Sequence, residues 1–84
     1  MKAVVQIMLK EGVLDPQGKA IQRALDGLGF NEVLELRIGK VIELVVAEGD
    51  SRKAHAQIAA MCEKLLANTV IENYNIELSN SEKN

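Results

Sequence analysis

The chain has 84 residues, ten basic and twelve acidic, with a net charge of −2. A chain this short makes one small domain whose own core gives thin stability. One cysteine and one histidine exclude a disulfide framework or metal staple, so burial between copies is the remaining source of apolar contact. The dispersed charge and only two aromatics, Phe30 and Tyr74, argue against nucleic acid. No apolar run nears the ~20 residues of a membrane span. A lone Cys62 and no signal-like start fit a reducing cytoplasm.

Lys2 to Leu9 alternates, with Ala3, Val5, Ile7 and Leu9 on one side and Lys2, Gln6 and Met8 on the other, which predicts a first strand. A loop follows in KEGVLDPQG. Asp15 stands where an N-cap carboxylate accepts backbone N–H bonds, and Pro16 takes the first helical position, where its missing donor costs nothing. Helix one is predicted from Pro16 to about Leu28, with an apolar stripe of Ala20, Ile21, Ala24, Leu25 and Leu28. Gly29 suits the left-handed residue that ends a helix, and Phe30 can fold back onto Leu25.

The stretch NEVLELRIGKVIELVVA, Asn31 to Ala47, is apolar at Leu34, Leu36 and Ile38 and again at Ile42, Leu44 and Val46. Gly39 and Lys40 interrupt it. An unbroken strand from Glu32 to Ala47 would span about 50 Å, whereas a compact domain of this size has a radius of gyration of about 12 Å. Two resolutions follow. A two-residue hairpin at Gly39–Lys40 gives the ferredoxin-like βαββαβ order. Alternatively the strand continues through a bend at Gly39, and its second half pairs with another subunit. IGKV lacks an Asn-Gly or Asp-Gly turn signal and the apolar phase is kept across the break, which favours a long strand shared in a dimer.

Asp50 or Ser51 then caps helix two, whose stripe is Ala54, Ile58, Met61, Cys62 and Leu65, with Asn68 as terminator. Tyr74, Ile76 and Leu78 alternate with Asn75 and Glu77 in a last strand. Residues 79–84 form a polar tail expected to fray, leaving 1–78 as a single domain. The expected fold class is α+β, an antiparallel sheet with two helices on one face.

Groups that carry chemistry are sparse. His55 and Cys62 share a helix face but lie about 10 Å apart along its axis, too far for a thiolate–imidazole hydrogen bond. Cys62 falls in the apolar stripe, so a small buried core residue is expected. Gly39–Lys40 lacks the further glycines and the Ser or Thr of a phosphate-binding loop, and a strand follows it. Scattered carboxylates with one His and one Cys do not make a metal site. Glu11 with Asp15, and Glu48 with Asp50, occupy turns where acidic residues cap helices. What stands out is Arg37, Lys40 and Glu43 on the long strand, charges that can fix a partner's orientation.

Three segments carry a resemblance: LDPQGKAIQRAL (Leu14 to Leu25), the run from Phe30 through VLELRIGKVIEL, and MCEKLLANTVIENYNIEL (Met61 to Leu78). In order and spacing they resemble the small subunit of phosphoribosylformylglycinamidine synthase, the PurS family. The D-P-x-G helix start, the R-x-G-K-x-(I/Y/M)-E-L strand and the C-E-K-L-L-A-N-x-V-I-E-x-Y run are together specific. Thr69 departs from the pattern, standing where the family often has proline, which loosens the exit of helix two.

The resemblance implies a non-catalytic subunit of an ATP-dependent, glutamine-hydrolysing C–N ligase complex in de novo purine biosynthesis. Such a subunit bridges a glutaminase subunit and a large synthetase subunit and assists ammonia transfer. It implies that ATP, Mg and glutamine are used by the partner subunits, with no cofactor on this chain. It further implies a homodimer sharing swapped strand segments, or a tetramer when isolated. The expected partner interface is Arg37, Gly39, Lys40, Glu43, Asn68, Asn73 and Tyr74. The rival expectation is a stand-alone ACT-like dimer, which shares the βαββαβ order and senses a small molecule.

Overall fold

The structure, a computed structural model, describes residues 1–79. Its elements are β1 (Lys2–Leu9), α1 (Pro16–Gly27), β2 (Gly39–Val45), α2 (Ser51–Met61), a π-helical turn (Cys62–Leu66) and β3 (Glu72–Ser79). The strands form one antiparallel sheet in the order β2-β1-β3, so the α+β class is as expected. β3 takes in Ser79, the first residue of the expected tail; the remainder, 80–84, lies outside the described residues.

Alternation in β1 builds the core. Ala3, Val5 and Ile7 are buried on one face, because α2 covers that face with Ala54 and Ile58 and the turn after it with Cys62. Leu44 and Leu78 flank Ala3 on the neighbouring strands, and Ile42 and Ile76 flank Val5, so apolar side chains oppose apolar ones across the sheet. Asp50 starts α2 by accepting from Arg52 N at 2.9 Å and Lys53 N at 3.4 Å.

The end of α2 differs from the expected stripe. Ala67 N–H donates to Cys62 O at 3.0 Å, closing a turn wider than an α-helical one. That extra residue changes which side chains face inward. Leu66 and Ala67 join the core, while Leu65, expected in the stripe, is 82% exposed.

Gly39 and Lys40 form no hairpin. They lie inside β2, paired with Met8 and Ile7. Glycine is required for a different reason: a Cβ at Gly39 would stand 2.2 Å from Met8 Sδ and 2.5 Å from the Ile7 carbonyl oxygen. The long segment is divided instead. Residues 39–45 pair with β1, whereas 33–38 form no strand pairing among the described residues.

Helix α1 starts and stops as its sequence indicates. Asp15 Oδ1 accepts from Gly18 N at 2.9 Å, Pro16 opens the helix, Gly29 has φ 96°, and Phe30 N donates to Leu25 O at 2.9 Å. Its apolar stripe, however, does not lie on the sheet. Gly18 is its one buried residue, and Leu28 is 73% exposed. Of the two helices expected on one face, α2 alone packs there. α1 runs along residues 33–38 instead, with Gln22 Nε2 donating to Val33 O at 3.1 Å. Together they form an arm, and the radius of gyration reaches 16.4 Å against about 12 Å for a compact chain of this length.

Candidate functional site

One end of the sheet gathers residues that lie far apart in sequence. On the face under α2, Lys40 and Tyr74 flank Ile7; on the opposite face, Gly39 and Asn73 flank Met8. Both rungs stand where β1 gives way to its loop. The turn after α2 closes on the same end, because Lys10 N donates to Ile71 O at 2.8 Å. Asn68 builds that turn: its carbonyl accepts from Ile71 N and Glu72 N, and its Oδ1 accepts from Val70 N at 3.2 Å. The Glu72 carboxylate closes it by accepting from Asn68 N at 2.7 Å.

Arg37 reaches this end as well. Its Nη2 donates to the Leu9 carbonyl, and its Nη1 lies 3.1 Å from Glu11 Oε2. Six of the seven expected interface residues therefore meet here. Glu43 does not; it is exposed, opposite Val4 and further along the sheet. Between the loop after β1, the start of β2 and the 71–72 turn runs an open groove of about 410 Å³. Ile7, Leu9, Leu14, Ile38 and Ile71 give it apolar walls, and Lys40 sits on it as a cation.

The polar groups at this end bond to one another. Tyr74 hydroxyl donates to Glu63 Oε2 at 2.7 Å. This hydrogen bond, followed by desolvation and the Glu63 charge, raises the phenol above its ordinary value of 10. Cys62 is wholly buried, and burial first, then Glu63, pushes its thiol above 9.0. A protonated, enclosed sulfur is no nucleophile, and His55 is exposed. No cluster of three or more His, Cys, Asp or Glu able to hold a metal ion occurs among the described residues. No helix among them is long and apolar enough to cross a membrane.

Some contacts were invisible in the sequence. Glu11, expected to cap a helix, holds Arg37; Arg37, expected to face a partner, is engaged within its own chain. Asp15 caps α1 as expected but also accepts from Ile38 N, which no local spacing signals. Glu63 and Glu72 were not singled out, since each acts on a residue that only the turn after α2 brings near.

The family model described as "PurS: Phosphoribosylformylglycinamidine (FGAM) synthase" matches residues 2–80. The Bacillus subtilis phosphoribosylformylglycinamidine synthase subunit PurS is 52% identical over 77 residues, covering 92% of this chain and 90% of that protein. The crystal structure of Methanocaldococcus jannaschii PurS is described as one of the subunits of formylglycinamide ribonucleotide amidotransferase in the purine biosynthetic pathway. It superposes with a TM-score of 0.82 at 49% identity, over 90% of this chain and 92% of that one. A chain in the structure of PurLQS from Thermotoga maritima superposes with a TM-score of 0.83 at 34% identity, over 90% and 93%.

Proposed function

The chain belongs to the PurS family, a subunit of FGAM synthase in purine biosynthesis, and from that premise we propose how it serves the complex. It is the non-catalytic small subunit, in the cytoplasm, that holds a glutaminase subunit against an ATP-dependent synthetase subunit. Ammonia released in one partner then reaches the other without loss to solvent, which is positioning rather than bond-making. ATP, Mg and glutamine belong to those partners. The likeness of this chain to one inside the Thermotoga maritima PurLQS structure carries the reading. Lys40, Asn68, Asn73 and Tyr74, with Gly39 shaping the edge, form the docking end, and Arg37 supports it from within. Glu43 serves from a separate place on the sheet.

The working form is a homodimer. Support comes from the bare stripe of α1 and, among the described residues, from the absence of a strand partner for 33–38 and the unfilled edge of β2. A second copy related by two-fold symmetry supplies all three needs at once. The ligand-sensing alternative has no support in the family match or the relatives named above.

Reconstitution tests the role. With the two larger subunits present, glutamine-dependent amidine formation should require this chain, while the chain alone turns over nothing. Activity at full rate without it would overturn the proposal. Lys40→Glu should reduce glutamine-dependent activity several-fold without unfolding the chain, since Lys40 is exposed. Unchanged activity would remove Lys40 from the docking end.

A further inference from the structure

We infer that the loop between β1 and α1 is a clasp that sets the direction in which residues 33–38 leave the sheet, with Asp15 and Arg37 as its positioning residues. The inference rests on the two-copy reading above. Three residues of that loop region grip two consecutive residues of the departing segment. Asp15 accepts from Ile38 N at 3.3 Å through Oδ2 while its Oδ1 accepts from Gly18 N at 2.9 Å. One carboxylate thus caps a helix and anchors the segment that leads into β2. On the other flank, Arg37 is held by the Leu9 carbonyl and the Glu11 carboxylate.

The chemistry explains the D-P-x-G run. An ionised aspartate accepts at both oxygens; asparagine accepts at one and donates at the other. Gly18 leaves room for the shared carboxylate, because a Cβ there would lie 2.7 Å from Asp15 Oδ2 and 3.0 Å from Leu36 O. None of these contacts belongs to the core under α2. What they govern is the angle of the arm, and hence where Ile21, Leu28 and the 92% exposed Leu34 are presented to a second copy. Two-fold symmetry repeats any error in that angle on both sides of the interface.

Two variants separate this role from folding. Asp15→Asn keeps a helix-capping acceptor but turns a donor toward Ile38 N–H. Arg37→Ala removes the other grip and leaves the cap untouched. Dimer dissociation constants from analytical ultracentrifugation are read beside far-UV circular dichroism and amide exchange at Ile38. Each variant should weaken the dimer on the order of tenfold, with helix content kept and exchange at Ile38 accelerated. Dissociation constants within about twofold of wild type in both variants would overturn the clasp. A wild-type chain that stays monomeric would overturn the two-copy reading, and the clasp with it, so the two failures are distinct. Should Asp15→Asn lose helix content, Arg37→Ala alone decides.

Discussion

Helices α1 and α2 begin alike and end up in opposite environments. Each is opened by an aspartate accepting backbone N–H bonds, and each carries an apolar stripe. α2 and the turn after it bury Ala54, Ile58 and Cys62 completely on the sheet, whereas α1 leaves Ile21, Leu28 and the following Phe30 exposed. The pair teaches that an amphipathic stripe says a face must be covered, and not by which polypeptide. One helix is held by its own sheet; the other leaves its stripe open, to be covered by a second copy on the reading proposed above.

The largest expected effect lies in the self-sufficient half. Ile58→Ala should cost about 2–5 kcal/mol in urea denaturation, whatever the protein concentration, because it empties a wholly buried site. Leu28→Asp should act differently, costing the assembly about 2–3 kcal/mol per protomer while the core under α2 is unchanged. Its melting temperature should lose the concentration dependence expected of a wild-type dimer. A uniform drop at every concentration would mean that α1 is covered by its own chain, and the contrast between the helices would collapse.

Gly39→Ala tests the junction between the two halves and should cost about 1–2 kcal/mol, since the new Cβ meets Met8 and a backbone carbonyl. Equal stability would show that the β2 edge shifts freely. The smallest effect is expected at Tyr74. Its phenol is raised in the folded state, so the Glu63 bond contributes stability that is complete below the unfolded value near 10 and is lost as pH rises through the higher folded one. Tyr74→Phe should therefore be slightly less stable than wild type at neutral pH, with the difference vanishing in strong alkali. A difference that persists there would assign it to packing instead.

Legibility in the sequence follows locality. The first and last strands, both aspartate caps and the Gly29 stop rest on neighbours within a few residues, and all could be read. The stretch from Asn31 to Ala47 showed the right apolar phase, and the preserved phase correctly argued against a hairpin. Its division at Gly39 was hidden, because the need for glycine comes from Met8 on another strand. Leu65 was misplaced since a π-helical turn is a backbone event with no signature in hydrophobic spacing. At the end of the sheet, Lys40 stands out in the sequence as a charge on the long strand, whereas Asn68 and Tyr74 come from the family resemblance. Their meeting at one edge, and the capture of Arg37 by Glu11, required the fold.

The central position of β1 has a consequence for how the molecule reaches its native form. Both of its neighbours come later in the chain, and Lys2 must meet Ser79 before the sheet is complete. Such distant closures slow folding relative to a protein built from adjacent hairpins. During synthesis the oily ribbon of Val4, Val5 and Ile7 waits without a companion until β2 has left the ribosome. Until then its apolar faces stay open to any other exposed strand, long before any question of assembly arises.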